Sequence, residues 1–209
     1  MTPPRFIVLE GIDGSGTTTQ AARLVKELAR RGIEAVATCE PTAGPVGKLI
    51  RGALKRELVT DGGTPHALPW TSMALLFAAD RLDHVESFIA PALARGTTVV
   101  CDRYVLSSLA YQSATSPEGQ GALDFIRALN ARALRPELTV VLDVPEDVAR
   151  ARRESRGGPP ELFEVQELQR QLAALYARAG ELLPGERVVH VDDGPMDTVA
   201  ARILEVVFA

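Results

Sequence analysis

The sequence predicts a three-layer α/β/α fold, with helices on both faces of a five-stranded parallel sheet. Two observations predict it. Short apolar runs alternate along the chain with longer segments whose apolar residues recur at helical spacing, a pattern typical of parallel sheets. A glycine-rich segment also separates the first apolar run from the first helical segment. The composition does not change abruptly along residues 1–209, so we expect a single domain.

Five short apolar runs are predicted as strands, because runs bounded by turn residues are typical of strands buried on both faces. The first run ends at Glu10 and Gly11. The five predicted strands cover residues 6–9, 35–38, 97–101, 138–142 and 188–191.

Six longer segments are predicted as helices. In the first, Ala21, Leu24 and Leu28 recur at helical spacing and Gly32 is a plausible end. We expect the third to be interrupted or bounded near two prolines, Pro69 and Pro91. The predicted helices cover residues 17–31, 46–58, 68–95, 106–113, 118–134 and 196–207. Segments 60–65 and 152–160 mix glycine, proline and polar residues, and we expect them to be mobile.

Composition and charge exclude several classes of protein. With 27 acidic and 23 basic residues the net charge is -4, which argues against a dedicated nucleic-acid binder. Two cysteines, Cys39 and Cys101, are too few for a disulfide framework and lack metal-type spacing. There is no leader pattern at the N-terminus and no run of about 18 apolar residues, so we expect a cytoplasmic protein that does not enter a membrane.

The glycine-rich segment predicts a phosphate-binding loop. It reads Gly-Ile-Asp-Gly-Ser-Gly-Thr-Thr-Thr between a strand and a helix, the context of a Walker A loop and hence of a P-loop NTPase fold. Successive backbone N–H groups and the helix N-terminus would face the phosphates of ATP. Thr18 holds the position of the Mg²⁺-binding hydroxyl. The predicted phosphate-binding residues are Gly11, Asp13, Gly14, Ser15, Gly16, Thr17, Thr18 and Thr19.

One position departs from the Walker A pattern, because Thr17 stands where the pattern has lysine. The departure removes a point charge from the site where charge develops during phosphoryl transfer. Three readings stay open: a working phosphotransferase with another source of charge, a nucleotide-binding loop with impaired catalysis, or a glycine-rich turn without a ligand. Only three of the 23 basic residues are lysines, so any replacement charge comes from arginine.

Motifs further along the chain resemble those of the thymidylate kinase family, the P-loop nucleoside monophosphate kinases that phosphorylate dTMP with ATP. The likeness covers nearly the whole chain. It rests on the following motifs in order: Glu40-Pro41, Arg51, Phe77-x-x-x-Arg81, Asp102-Arg103-Tyr104, Ser107-Ser108-x-x-Tyr111-Gln112 and Leu142-Asp143-Val144.

The resemblance implies a binding site for dTMP. Phe77 would stack on thymine, and Arg81, one helical turn later, would donate to a thymine carbonyl. Arg103 and Arg51 would grip the phosphate, and Tyr111 would leave no room for a 2′-hydroxyl. The implied dTMP-binding residues are Asp13, which would accept from the 3′-hydroxyl, and Glu40, Pro41, Arg51, Phe77, Arg81, Arg103, Ser107, Ser108, Tyr111 and Gln112.

The resemblance also implies a Mg²⁺ site and a mobile lid over residues 145–162. Thr18, Asp102 and Glu10 would surround the metal, directly or through water, and Asp102 and Arg103 would be catalytic. In one branch of the family the lid supplies catalytic arginines. Here we expect one of three, Arg152, Arg153 or Arg156, to replace the missing lysine, although Leu162 stands where the family's lid has another arginine.

The sequence thus predicts an enzyme, a dTMP kinase that uses ATP and Mg²⁺ and forms a homodimer through helices near Leu76 and Leu106. Two alternatives stay open. One is a nucleoside monophosphate kinase with a shifted acceptor preference. The other is a weakly active or non-catalytic nucleotide-binding protein, which the Thr17 departure would explain.

Overall fold

A computed structural model describes residues 3–157 and 162–209 and contains the predicted five-stranded parallel sheet. Its spatial order is β2-β3-β1-β4-β5, and each neighbouring pair is parallel. Each strand extends one residue beyond its predicted carboxyl end, because the backbone ladder continues through the residue that closes each apolar run. The strands are β1 Phe6–Glu10, β2 Ala35–Cys39, β3 Thr98–Asp102, β4 Leu138–Asp143 and β5 Val188–Asp192.

The carboxyl ends of β1, β2 and β3 lie side by side at one edge of the sheet. In the register, Asp102 of β3 lies opposite Leu9 of β1 on one side and Cys39 of β2 on the other. Side chains that follow these strands therefore converge, as expected for ligand sites in open α/β sheets.

Alternate residues of β1 belong to two different hydrophobic cores. Ile7 and Leu9 lie in the larger core, whereas Phe6 and Val8 lie in a smaller core that also contains Tyr104. Since successive side chains of a strand point to opposite faces, both faces of the sheet are buried, which confirms the three-layer prediction.

Ten α-helices cover the sheet within the described residues. A π-helical turn, Val85–Ile89, joins α3 to α4, so the predicted helix 68–95 is interrupted just before Pro91. The second predicted helix ends earlier than expected, because Arg56 adopts a left-handed φ of 59°. The helices are α1 Thr17–Arg30, α2 Pro45–Leu54, α3 Trp70–His84, α4 Ala90–Ala94, α5 Val105–Ala114, α6 Gln120–Leu129, α7 Glu146–Arg156, α8 Gln166–Tyr176, α9 Ala179–Leu182 and α10 Met196–Phe208.

The region predicted as a lid is largely helical where the structure describes it. Helix α7 runs through Arg152, Arg153 and Arg156, so these arginines lie on an ordered helix rather than in a loop. Residues 158–161 lie outside the described residues; all four belong to the predicted lid, and 158–160 also belong to the predicted mobile segment. Sequence patterns did not reveal α8 and α9. Across the described chain, no helix is both long and apolar enough to cross a membrane.

Candidate active site

The glycine-rich loop connects β1 to α1 and packs against α7. Its turn is closed by a hydrogen bond from the Ser15 N–H to the Ile12 carbonyl, 3.0 Å. Gly14 has a φ of 89°, and a Cβ placed there would lie 2.3 Å from the Ala149 carbonyl oxygen. Only glycine both adopts this left-handed φ readily and leaves room for the Ala149 carbonyl. The loop can therefore approach α7 closely only because Gly14 has no side chain.

The loop lines a cavity of about 760 Å³. Arg152 and Arg156 of α7 also line it, and each is paired, Arg152 with Asp193 at 2.9 Å and Arg156 with Glu164 at 2.7 Å. The side chains of these two arginines keep 40% and 64% of their surface exposed. The cavity therefore presents two partly exposed guanidinium groups to whatever the loop binds. Its remaining lining residues are Asp13, Gly14, Ser15, Gly16, Thr17, Thr18, Thr19, Gln20, Arg103, Asp193, Gly194, Pro195, Met196 and Val199.

Arg153 has a different place from its two neighbours on α7. Its side chain is only 7% exposed, and its guanidinium donates to the backbone carbonyl of Asp13 and to Glu146 Oε1. The aliphatic part of Arg153 also lies against Gly14. Arg153 thus fastens the glycine-rich loop to α7.

A second cavity, of about 370 Å³, adjoins the first. It shares three residues with the first, Asp13, Thr18 and Arg103. Two cavities that meet at a carboxylate, a hydroxyl and a guanidinium can hold two ligands end to end. The other lining residues are Cys39, Glu40, Pro41, Arg51, Leu54, Lys55, Phe77, Arg81, Asp102, Tyr104, Ser107, Ser108, Tyr111, Gln112 and Phe163.

Arg103 lies at the junction of the two cavities. Its guanidinium donates to Asp13 Oδ1 at 2.7 Å and to the Gly11 carbonyl at 2.9 Å, and it lies 5.3 Å from the centre of the Tyr111 ring. Its backbone φ is 68°, a left-handed value that costs a non-glycine residue about 1–2 kcal/mol. The hydrogen bond from its N–H to the Leu9 carbonyl, 2.9 Å, helps to hold this conformation.

Asp102 and Thr18 form a pair suited to a divalent cation. Thr18 Oγ1 donates to Asp102 Oδ2 at 2.5 Å, and Asp102 Oδ1 is buried without a hydrogen-bond partner among the described residues. Oxygen ligands of this kind are the ones that Mg²⁺ prefers, and a buried unpaired carboxylate oxygen is costly unless a ligand satisfies it. The residues present therefore fit Mg²⁺.

Glu10 does not belong to that pair. Its carboxylate is fully buried and accepts hydrogen bonds from the backbone N–H groups of Tyr104 and Ser107, at 2.8 and 3.1 Å, from the Ser107 hydroxyl, at 2.6 Å, and from the Tyr176 hydroxyl, at 3.3 Å. These donors place it at the N-terminus of α5. Desolvation by burial raises the pKa of Glu10 above its ordinary 4.5. We therefore correct the prediction that Glu10 surrounds the metal, because both of its oxygens are already occupied.

Comparison with known proteins agrees with this geometry. The model of the thymidylate kinase family matches residues 9–203. The chain is 42% identical to a probable thymidylate kinase of Pyrococcus horikoshii, over 93% of this chain and 94% of that protein. It is 38% identical to the thymidylate kinase of Alkalilimnicola ehrlichii, over 98% of this chain and 93% of that protein.

The chain belongs to the thymidylate kinase family. The resemblance drawn from its motifs is therefore confirmed.

Several family motif residues line the second cavity, but not all of them are free to bind. The Arg81 side chain is 1% exposed and makes an ion pair with Glu40 at 2.8 Å. It also donates to Ser108, Asn130 and the Tyr104 carbonyl, while its Nε is buried and unpaired in the described structure. The structure thus shows Arg81 bracing the cavity wall, and its contact with thymine stays a prediction.

Other family positions keep groups that face the second cavity. Gln112 is 1% exposed and its Oε1 is buried without a partner among the described residues, as is the hydroxyl of Tyr111. Burial raises the pKa of the Tyr111 hydroxyl, which stays neutral. Phe77 is half-buried in the cavity wall, and Arg51 donates to the Pro41 carbonyl.

A buried group of possible metal ligands lies behind this wall. Atoms of Glu40, His84 and Cys101 lie within 4.8 Å of one another. Both ring nitrogens of His84 are engaged, Nδ1 with Glu40 at 3.1 Å and Nε2 with Thr38 at 2.7 Å, and the positive Arg81 contacts Glu40. We therefore assign this group to bracing Arg81 rather than to a metal.

The sequence reasoning missed residues on the helices it did not predict. On α8, Gln169 donates to Asp13 Oδ2 at 2.9 Å, and the Tyr176 hydroxyl lies 2.9 Å from the Ser107 hydroxyl. Phe163, just before α8, lines the second cavity. In the first cavity, Asp193 and Pro195 were also missed, although they follow a predicted strand and the strand-end rule would have identified them.

Proposed function

We propose that this protein transfers the γ-phosphoryl group of ATP to dTMP. The bond between the γ-phosphorus and its bridging oxygen to the β-phosphate breaks, and a dTMP phosphate oxygen bonds to the γ-phosphorus, which gives ADP and dTDP. The observation that carries the proposal is the junction of two cavities at Asp13, Thr18 and Arg103, one lined by the phosphate loop and the other by the acceptor motifs of the family. Phosphoryl transfer depends mainly on such positioning and on charge stabilisation.

On the donor side, the loop N–H groups and the N-terminus of α1 would hold the ATP phosphates. Arg152 and Arg156 would supply the positive charge that Thr17 lacks, because both line the donor cavity and both keep exposed side chains. Arg153 would act only by fixing the loop, since its guanidinium already binds the Asp13 carbonyl and Glu146.

Thr18 and Asp102 would hold Mg²⁺. When bound there, the ion would neutralise charge on the donor phosphates. The buried and unpaired Asp102 Oδ1 and its neighbour Thr18 Oγ1 support this assignment.

On the acceptor side, Arg103 and Arg51 would bind the dTMP phosphate. Phe77 would stack on thymine, and Gln112 would accept from the ring N–H, because its Oε1 is buried and unpaired in the described structure. Tyr111 would pack against the sugar near Asp13.

Three features of the described residues support this proposal over a shifted acceptor or a non-catalytic binder: the family motif residues that line the acceptor cavity, the Thr18–Asp102 oxygen pair and the two arginines that line the donor cavity. The homodimer and the cytoplasmic location belong to the same proposal. The dimer would form through the helices near Leu76 and Leu106, which are α3 and α5, and Leu75 of α3, 51% exposed, supports a contact there.

An acceptor panel tests the proposal. We expect kcat/KM for dTMP to exceed those for dUMP, UMP and dCMP in a coupled ADP-release assay with ATP and Mg²⁺. An equal or higher kcat/KM for UMP or dCMP would contradict dTMP as the acceptor.

A further inference from the structure

The Asp13 carboxylate, at the junction of the two cavities, is held from two sides. Its Oδ1 accepts from Arg103 at 2.7 Å, and its Oδ2 accepts from Gln169 Nε2 at 2.9 Å. Arg103 follows β3 on the sheet edge, whereas Gln169 lies on α8. The orientation of this carboxylate therefore depends on a helix that contributes no motif residue of the family resemblance.

The hydrogen-bond partners of the Gln169 side-chain amide determine its orientation. The side chain is fully buried, and Nε2 also donates to the Phe163 carbonyl at 2.8 Å. Both of its neighbours, a carboxylate and a carbonyl, can only accept, so the nitrogen must face them. Its Oε1 is left buried and unpaired in the described structure. The amide donates two hydrogen bonds and accepts none, and burying an unpaired oxygen is costly. This cost indicates that the two donated hydrogen bonds serve a function.

The second hydrogen-bond partner of Gln169, the Phe163 carbonyl, belongs to a segment that lines the acceptor cavity. Phe163 lines this cavity, and its ring centre lies 5.4 Å from that of Tyr111. The same segment is bound to another lining residue of this cavity by a hydrogen bond from the Leu162 N–H to the Leu54 carbonyl, 2.9 Å. The Gln169 amide thus connects the Phe163 segment of the acceptor cavity to the Asp13 carboxylate at the junction.

We propose that Gln169 is a positioning residue for phosphoryl transfer, which orients Asp13, and through it Arg103, and joins Asp13 to the Phe163 segment that lines the acceptor cavity. The inference rests on the proposed function. It predicts an effect on the acceptor side: losing a hydrogen bond to a charged group should raise KM for dTMP about tenfold. KM for ATP should change less, within about twofold, because Phe163, the second partner of Gln169, lines the acceptor cavity but not the donor cavity, and the loop would hold ATP through backbone N–H groups rather than through the Asp13 carboxylate.

Two variants test this inference. Gln169→Met keeps the length of the side chain and removes both donors. Gln169→Glu places a carboxylate against Asp13 and against the Phe163 carbonyl, and protonation would restore one donor. The ionisable groups around Asp13 are Arg103 at its carboxylate, Arg153 at its carbonyl and Tyr111 nearby. Gln171→Glu, the same substitution at an exposed position of α8, is the matched control.

We expect the kcat/KM for dTMP of Gln169→Glu, divided by that of the wild type, to be lowest near pH 8 and to rise as the pH falls to 6. Taking the ratio cancels the titration of dTMP itself. Gln171→Glu should give a flat ratio near one. A residue that only fills space would not produce this pH dependence.

The outcomes separate the two proposals. If the wild type does not phosphorylate dTMP, the proposed function is wrong. If the wild type is active, a flat ratio for Gln169→Glu or an unchanged KM for dTMP in Gln169→Met overturns the positioning role. Should melting curves show that Gln169→Glu is unfolded, the KM values of Gln169→Met decide alone.

Discussion

Glu10 shows why a residue that ends a strand need not serve the ligand. Glu10 is the last residue of β1, as Asp102 is of β3, yet its carboxylate accepts four hydrogen bonds from Tyr104, Ser107 and Tyr176. Asp102 keeps one oxygen unpaired among the described residues. The sequence predicted correctly that each of the two carboxylates stands at the carboxyl end of a strand. It could not separate their roles, because that depends on which donors the start of α5 brings to Glu10.

Glu10→Gln should change how stability depends on pH. Since burial raises the pKa of Glu10, the folded wild type binds a proton more tightly than the unfolded chain does. The free energy of unfolding of the wild type should therefore fall, relative to Glu10→Gln, as the pH rises above 4.5 through the folded pKa. Urea unfolding of both proteins at several pH values measures this difference in the free energy of unfolding, and Glu118→Gln, at an exposed position, is the control. A difference that grows in favour of the wild type with rising pH would contradict the assignment.

Asp102→Asn should weaken the use of Mg²⁺. The amide keeps the size of the side chain but removes the negative charge next to Thr18, so we expect kcat to fall about 100-fold and the Mg²⁺ concentration at half-maximal rate to rise. Titration of the rate with Mg²⁺ at saturating ATP and dTMP measures both. Asp124→Asn, on the exposed face of α6, is the control. An unchanged Mg²⁺ dependence would remove Asp102 from the metal site.

At the scale of elements, the helix α7, which the sequence did not predict, sharpens the question of the missing lysine. A charged segment rich in glycine and proline was read as mobile, yet its first part continues a helix that packs directly on the glycine-rich loop. That packing divides the three arginines into one that is buried and two that line the donor cavity. The spacing of arginines in the sequence could not show this division, because it depends on which face of α7 meets Gly14.

The arginines of α7 should therefore differ in their effects. We expect Arg152→Ala or Arg156→Ala to lower kcat at least tenfold, about 1.4 kcal/mol. Arg153→Ala should lower the free energy of unfolding by about 1–3 kcal/mol, because it removes the bond to the Asp13 carbonyl. Steady-state kinetics and urea unfolding measure the two effects, with the exposed Arg150→Ala as control. If neither Arg152→Ala nor Arg156→Ala lowers kcat, these arginines do not replace the missing lysine.

The contact between the loop and α7 should be sensitive to a single methyl group. Gly14→Ala and Gly16→Ala both force alanine into a left-handed backbone, with φ of 89° and 93°, but only at Gly14 does the new Cβ collide with the Ala149 carbonyl. Gly14→Ala should therefore be less stable than Gly16→Ala by about 1–3 kcal/mol. Thermal and urea unfolding of the pair compare them directly. Equal stabilities would show that the loop can move away from α7 without cost.

At the scale of the whole molecule, the alternating pattern of strands and helices predicted a five-stranded sheet, its parallel strands and its helical layers, but not the spatial order of the strands. The phosphate loop and the acceptor motifs also fell on two adjoining cavities. The sequence could not predict that α8 returns to the junction, where Gln169 and Tyr176 meet Asp13 and Ser107. Their neighbours lie more than 60 residues away in the chain and only the fold brings them together.

The central claim is that the two joined cavities carry out phosphoryl transfer from ATP to dTMP although Thr17 replaces the loop lysine. The most direct measurement is ADP release by the purified protein with ATP and Mg²⁺, with and without dTMP, while the nucleotide products are separated. The account predicts ADP release that depends on dTMP, saturates with it and matches dTDP mole for mole. ADP release that is absent, or that is the same without dTMP, would contradict it.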